Sequence, residues 1–548
     1  MTSSSTVQIL EYEKIPKQPP AFVKYVRQSD DILQFYQRRP TPEALSETAA
    51  EICRLPFPRS EMADILLLQN ERFGISDPMR SAITNLAKPD SIAVMTGQQV
   101  GIFTGPAFTI YKALTAIRLS AELRSRGFNA VAVFWMASDD HDLMEILHLP
   151  VLRQDTGVHS PNVKERLFGN SELPPWPVGP ILIPETIREV LDDYCKSLAE
   201  PGREEIRSEL AAAYRPGASF AEAFGRLLSQ LFSDRGLLIF DPRDGNAKRL
   251  ASPVIRKALE QAPMLRSSLS DRSRALQEIG LEPQIAILPR STMVFREEEG
   301  ERRLLLIGDH GFLLKDTPRQ YAAEELSGLT ESEPERFSPN VLLRPLVQDH
   351  LFPTVAYVGG PAEVSYFAQL DPLYRFYQRP APVIWPRAGF TILDAEASES
   401  LTRHALLVED CFRGKDHVVR KILLAEPGRA EVLLSEMQQR IMQEFGTLKP
   451  ALTSMDVSLG AASDTIRSKL LHGVSWMQSQ FVHFELRRNA SLDREVSHLL
   501  ECCFPNGNLQ EREVGVHFLL ASHGLSLLDT LYAYIEPGIL AHRIVRMP

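Results

Sequence analysis

Three stretches of the chain place polar and ionisable side chains directly after apolar runs, where an enzyme can gather them into a site. The first is Ser138-Asp139-Asp140-His141-Asp142, with Glu145 and His148 beyond it, following the apolar run Ala130 to Met136. One acid there can cap the next helix and another can favour its positive end. Three aspartates around one histidine exceed that need. Crowded like charges raise some carboxyl pKa values and favour the imidazolium, which suits general acid/base work or the orientation of an amine. Asp139, Asp140 and His141 are therefore the candidate catalytic residues, with capping alone and divalent-metal binding as the alternatives.

The second stretch runs from Thr96 to Lys112. Gly97, Gly101 and Gly105 allow close backbone approach, Pro106 suits a first helical position, Gln98, Gln99 and Thr104 offer hydrogen bonds, and Lys112 adds a charge. This is either a cradle for an anion or a turn needed only to reverse the chain. It is neither a P-loop nor a G-x-G-x-x-G dinucleotide turn. The third, Thr354 to Tyr366, repeats the device: Gly359 and Gly360, then Pro-Ala opening a helix with Glu363 and Tyr366 in its first turns. Upstream, Asn340 supplies an amide and Arg344 a guanidinium able to grip a carboxylate with two bonds. Taken singly, the same residues read as a surface arginine and a helix-start acid.

The elements that must position these groups follow from hydrophobic pattern. Ser91 to Gly97 and Ala130 to Met136 are short runs apolar on both faces, separated by a helix with Ile110, Leu114, Ile117 and Ala121 at helical spacing. Such a strand–helix–strand unit implies a parallel sheet with a right-handed crossover. Further strands are expected at Gly236 to Phe240, Ile285 to Leu288, Leu304 to Ile307 and Thr354 to Val358. Helices precede the first strand, with Thr41 and Ser60 as caps. Pro-rich segments at Leu173 to Pro184 and Leu281 to Thr292 read as connections. From Asp394 the pattern turns helical. Leu434, Met437, Ile441, Phe445 and Leu448, then Ile466, Leu470, Val474, Met477, Phe481 and Phe484, mark two amphipathic helices broken at Lys449-Pro450, forming a hairpin or packing on the core. Helices over Leu492 to Cys502 and Glu511 to Tyr534 close the chain.

At 548 residues the chain exceeds the roughly 250–300 residues at which single cores stop growing, so two or three units are expected. A net charge of −10 with no basic stripe argues against nucleic acid. Five scattered cysteines suit a reducing compartment and offer no thiolate zinc motif. None stands beside a His-containing motif, so a catalytic cysteine is not expected, and the histidines of the C-terminal half, His498 among them, read as structural. No signal-peptide pattern or membrane-spanning run is present, which makes the cytoplasm the expected location.

Met95 to Pro106, Phe134-Trp135 leading into Asp140-His141-Asp142, Phe337 to Asn340 through Arg344-Pro345, Phe352-Pro-Thr354, Val358 to Pro361 and the late turn Pro505 to Arg512 together resemble the signature blocks of the BshC family, the cysteine ligases of bacillithiol biosynthesis. The resemblance spans most of the chain in order. It implies an α/β architecture: a Rossmann-like doubly wound parallel sheet with inserted connecting lobes and a C-terminal helical coiled-coil arm. The expected units are a core over 1–393 with insertions at about 150–235 and 265–335, an arm over 394–490 and returning helices over 491–548. The resemblance also implies a homodimer through the arm and addition of L-cysteine to the amine of glucosaminyl-malate.

Joining a carboxylate to an amine is uphill in water, so the cysteine is expected to need activation as an acyl-adenylate or acyl-phosphate, and a core like that of the class I synthetases suggests ATP as the cosubstrate. The His-Ile-Gly-His and Lys-Met-Ser-Lys-Ser strings of class I synthetases are both missing from the sequence, and no metal is expected. On this reading Asp139, Asp140 and His141 orient and deprotonate the amine, Gln98, Gln99, Thr104 and Lys112 hold an anionic group, and Asn340 and Arg344 bind a carboxylate. Gly101, Gly359, Gly360, Glu363 and Tyr366 complete the substrate surface. A nucleotidyl transferase or sugar-nucleotide enzyme on the same core, and a non-catalytic coiled-coil scaffold, are the rival readings.

Overall fold

The computed structural model describes residues 5–153, 157–159, 161–170, 175–425 and 429–548. Its centre is a five-stranded sheet built from β1 (Ser91–Gln98), β2 (Asn129–Met136), β3 (Leu238–Phe240), β4 (Thr354–Gly359) and β5 (Val383–Pro386). All neighbours pair in parallel, in the order β5-β4-β1-β2-β3. This is the order of a Rossmann-like sheet. The chain leaves β1 toward one edge and β4 toward the other, so the loops after these two strands diverge and open a crevice at their carboxyl ends. The strands are buried on both faces, which explains why they read as continuous apolar runs.

Helix α1 (Phe108–Ser125) carries the crossover from β1 to β2, with Ile110, Leu114 and Ile117 buried against the sheet. It starts later than the glycine-proline pattern suggests. Pro106 pairs with Gly515 in an isolated bridge, and Ala107 takes the cap position. At the second glycine-proline entrance, Gly360 is the cap and Pro361 the first residue of helix α2 (Pro361–Phe367). Near the N-terminus Thr41 caps its helix, accepting from Ala44 N at 3.2 Å. Ser60 does not cap, because the next helix already begins at Arg59.

Between β3 and β4 a second sheet pairs Gln320–Tyr321, Gly311–Leu314, Glu301–Gly308, Ser291–Glu298 and Phe337–Pro339, all antiparallel. The strand expected at Leu304 to Ile307 belongs here, not to the parallel core. Ile285 to Leu288 forms no strand. Pro283 and Pro289 flank it, and Gln369 takes up its backbone instead, accepting from Ile285 N at 3.0 Å and donating to Ile285 O at 2.8 Å. A third sheet, unforeseen from sequence, places His542–Arg546 between Thr6–Leu10, antiparallel, and Gly389–Leu393, parallel.

The arm is a helical hairpin of α3 (Arg429–Met455) and α4 (Val457–Arg488). Its helices run antiparallel, since Lys449 pairs with Asp464 at 2.7 Å and Gln478 meets Gln438 at 3.4 Å. The reversal comes at Asp456, which caps α4, and not at Lys449-Pro450. Pro450 removes a single helical N–H, and the ion pair of Lys449 with Asp464 holds that turn. Met437, Leu448, Ile466, Leu470, Met477 and Phe484 remain exposed along the hairpin. After α5 (Ala490–Cys503), the segment expected as one helix over Glu511 to Tyr534 forms three, Gln510–Glu513, Val516–His523 and Ser526–Ala533. It is interrupted at Gly515, packed under the Tyr194 hydroxyl, and at Gly524, which has φ +74°. No described helix is long and apolar enough to cross a membrane.

Candidate active site

The crevice beyond β1 and β4 is a cavity of about 530 Å³, within the range of roughly 300–1,000 Å³ usual for ligand sites. Gln98, Gln99 and Lys112 from the β1 side, Asp139, Asp140 and His141 after β2, Asn340 and Arg344 from the link into β4, and Gly360, Glu363 and Tyr366 after β4 all line it. Three expected residues do not. Gly101 and Thr104 turn inward with Phe103, which packs on Tyr194 and Tyr214. A Cβ on Gly101 would lie 3.2 Å from the Gly105 Cα, so this glycine turn serves chain packing and is not an anion cradle. Gly359 is a buried strand residue whose carbonyl accepts from Arg387 N at 2.9 Å.

Lys112 cannot hold a ligand anion. Its ammonium has three donors, and these reach Gly97 O at 2.9 Å, Gln98 Oε1 at 2.8 Å and the Glu363 carboxylate. Glu363 is equally engaged, accepting from the Tyr357 hydroxyl at 2.6 Å and from Gly360 N at 2.7 Å. Against desolvation, Lys112 and these hydrogen bonds hold the Glu363 carboxyl below its ordinary pKa. The pair therefore latches the ends of β1 and β4 across the crevice. The Gly360 N–H, which an anion at this helix start would need, is already taken.

The acid–histidine cluster also divides differently from expectation. Asp139 is paired with Arg243 at 3.1 Å and Lys248 at 3.0 Å. Desolvation works to raise its pKa, but Lys248, Arg243 and Arg302 outweigh that and hold it low, so Asp139 is a fixed carboxylate and not a base. Asp142 caps the next turn, accepting from Glu145 N at 2.9 Å. Asp140 accepts from Gln99 Nε2 at 2.5 Å and from His141 N at 2.7 Å. His141 presents Nδ1 to the Arg302 guanidinium at 3.1 Å. An arginine only donates, which assigns Nδ1 as acceptor and leaves the proton on Nε2. Desolvation and Arg302 lower the His141 pKa, outweighing Asp140 and Asp142; the ring is neutral, where crowded acids alone suggested an imidazolium. Glu145, at the cavity wall, moves the other way. Desolvation, with the charges of Asp140 and Asp142, raises its pKa against a hydrogen bond from Gln99.

The cationic wall is larger than the sequence suggested. Arg344 is half-buried, bonded to Gln348 Oε1 at 3.0 Å and to the Tyr366 hydroxyl at 3.2 Å, and lies over the Tyr357 ring at 5.0 Å. No carboxylate among the described residues forms an ion pair with it or with Arg512. Arg302 enters from the antiparallel sheet, fixed by Ser338 Oγ and Pro339 O, each at 2.9 Å. Arg387 is held by Glu511 in a bidentate pair at 2.9 and 2.5 Å. Asn340 uses its carbonyl to accept from Leu342 N and Leu343 N at 3.0 Å, leaving only its NH₂ end for a ligand. Arg302, Arg387, Arg512 and Trp135, all lining the cavity, were not foreseen as a group. Arg302, Arg387 and Arg512 come from distant segments, and only the late Pro505–Arg512 turn hinted at the last.

The site thus combines two guanidinium groups without an ion-pair partner among the described residues, half-buried Arg344 and exposed Arg512, a neutral imidazole with its proton on Nε2, and one carboxyl raised in pKa. Such a set can bind a polyanionic substrate and move a proton. Comparison with known proteins agrees with the fold. A family model described as "Bacillithiol biosynthesis BshC, N-terminal Rossmann-like domain" matches residues 7–388, and one described as its "C-terminal coiled-coil domain" matches residues 390–547. A protein of Salinibacter ruber, named "Putative cysteine ligase BshC", is 33% identical over 537 residues, covering 96% of both chains. Proteins of the same name from Koribacter versatilis and Solibacter usitatus are each 32% identical, over 94% and 97% of this chain and 96% and 98% of their own. With both domain models matched in order along nearly its whole length, the chain belongs to the BshC family of bacillithiol biosynthesis.

Proposed function

We propose that this protein is a ligase that joins the carboxyl group of L-cysteine to the amine of glucosaminyl-malate. The observation that carries the reading is the presence, in one cavity, of two arginines without carboxylate partners among the described residues together with Glu145 and His141. Malate brings two carboxylates, which Arg344 and Arg512 match in charge and number. Glu145 takes the proton that the amine loses on forming the amide. The Nε2–H of His141, its tautomer set by Arg302, donates to the carbonyl oxygen as negative charge develops there. Asp140 and Gln99 position this corner, and Asp139 anchors it to Arg243 and Lys248.

Activation of the cysteine carboxyl as an acyl-adenylate or acyl-phosphate calls for ATP as cosubstrate in this proposal, and the amine displaces AMP or phosphate as its C–N bond forms. The glycine turn and Lys112 do not fit a triphosphate, for the reasons of packing and hydrogen bonding given above, so no step is routed through them. Mixing the protein with cysteine and glucosaminyl-malate, with and without ATP, tests the proposal by mass spectrometry. The expected product is heavier by one cysteinyl unit; its absence in every arm overturns the reading. The exposed apolar residues of α3 and α4 support a homodimer through the arm, and the composition supports a cytoplasmic enzyme.

A further inference from the structure

A second group of chemistry-bearing side chains lies outside the crevice. Helix α5 carries His498 and Cys502 four residues apart, on one helical face, although neither was read as functional from sequence. Facing them is Asp394, which follows the Gly389–Leu393 strand and caps the helix Ala395–Arg403. Its Oδ1 accepts from Ala397 N at 2.8 Å, which turns Oδ2 toward α5. Asp394 Oδ2, His498 Nε2 and Cys502 Sγ then form a triangle with sides of 2.9, 3.6 and 3.8 Å. Among the described residues this is the one group of three potential ligand side chains within mutual reach of an ion.

Two sides of the triangle are close to those of one face of a metal tetrahedron, and its 2.9 Å side, now a hydrogen bond, would open by a few tenths of an ångström to admit an ion. With Zn–S near ~2.3 Å and Zn–N or Zn–O near ~2.0–2.1 Å, ligand atoms stand about 3.3–3.6 Å apart. As a hydrogen-bonding group the triad is weak at the sulfur, since its two contacts are long and a thiol is a poor partner. The two elements that supply the donors are also fixed to each other. Buried Gln510 accepts from Ile392 N at 2.8 Å and donates to Ile392 O at 2.8 Å and to Cys502 O at 2.9 Å. It thereby ties the strand leading to Asp394 to the last turn of α5. Such support holds ligand atoms in place before an ion arrives. The open side faces a cavity of about 1350 Å³, also lined by Glu396 and His523, and Glu396 Oε2 lies 4.0 Å from His498 Nε2.

We propose that Asp394, His498 and Cys502 bind one zinc-type divalent cation, with the fourth position turned to the cavity and filled by water or Glu396. A mixed sulfur, nitrogen and oxygen set suits zinc and its late first-row neighbours, whereas magnesium and calcium call for oxygen alone. On binding, the Cys502 thiol gives its proton to solvent, and His498 gives up any proton on Nε2, so that the ion meets a thiolate and a free imidazole nitrogen. The ion would pin α5 to the third sheet, which Gln510, next to Glu511 of the pair with Arg387 at the crevice, also ties to α5.

The full-length protein, stripped with a chelator, is titrated with Co²⁺ and then with Zn²⁺. One equivalent of Co²⁺ should produce a near-ultraviolet thiolate-to-cobalt charge-transfer band, which Zn²⁺ displaces. Cys502→Ser should abolish the band, His498→Gln should weaken Co²⁺ binding at least about tenfold, and Cys53→Ser should leave both unchanged. No band in the unaltered protein, or a band that persists in Cys502→Ser, overturns the proposal. The readout is binding by a soluble chain, independent of ligase activity, so failure here and failure of the proposed function are distinguishable.

Discussion

Replacing Arg344 by methionine tests the proposed substrate most directly. The guanidinium uses one N–H on Gln348 and one on Tyr366, which leaves three of its five donors for a ligand. A carboxylate gripped by two of them gains two charge-assisted bonds of about 1.5–3 kcal/mol each. Losing both amounts to about 3–6 kcal/mol, or roughly 10²–10⁴ in kcat/KM for glucosaminyl-malate. Methionine keeps bulk between Trp135 and Tyr357, so the packing there survives in large part. Arg344→Lys keeps the charge but not the fork and should lose about half as much free energy. The assay compares glucosaminyl-malate with a glucosamine glycoside lacking the two carboxylates. Both variants should fall steeply on the first and little on the second. An equal fall on both, or an unchanged KM for glucosaminyl-malate, would refute the assignment of Arg344 to a substrate carboxylate.

Glu145→Gln should lower kcat by about 10²–10⁴. Because Glu145 is raised above the ordinary glutamate value of 4.5, kcat/KM of the unaltered enzyme should decline as pH falls through that raised value, and the variant's pH–rate profile should lose this limb. Glu511→Gln leaves Arg387 buried without its carboxylate and should cost about 3–5 kcal/mol in denaturant unfolding followed by tryptophan fluorescence, with Arg387→Met combined with Glu511→Leu costing less than the two singles together. The Glu511 carboxyl is held below its ordinary value of 4.5, desolvation notwithstanding, by Arg387; its stabilisation is therefore present above that value and lost as pH drops through the lowered one. Leu470→Asp with Met477→Asp on the arm should shift the protein to a monomer in sedimentation velocity while leaving its helix content unchanged.

The parts of the fold legible in the sequence were those in which one segment decides its own conformation. β1, β2 and β4 announce themselves as apolar runs ended by glycine or polar residues, because both faces are buried. β5 escaped notice since Val383-Ile-Trp is cut short by Pro386, and Gly389–Leu393 and His542–Arg546 each make sense only beside the other. The crevice followed the same division. Residues at the ends of β1, β2 and β4 were identifiable because parallel strands place all such ends on one rim. Their charge states were not, since Asp139 is neutralised by Arg243 and Lys248 from beyond β3, and His141 is set by Arg302 from an inserted sheet. Lone arginines carry no local signal. The cluster of Asp394, His498 and Cys502 was obscured for a similar reason: two of its members are a helical turn apart, but the third lies more than a hundred residues upstream.

The small third sheet carries a consequence for synthesis. Thr6–Leu10 has no partner other than His542–Arg546 among the described strands, so a chain emerging from the ribosome holds this edge unpaired until His542–Arg546 has been made. Gly389–Leu393 waits with it. Closure of such a widely separated pairing is slow and leaves sticky backbone uncovered meanwhile. Arg512 reaches the crevice from the segment ahead of His542–Arg546, so the nascent chain lacks this charge at the crevice until that segment has been made.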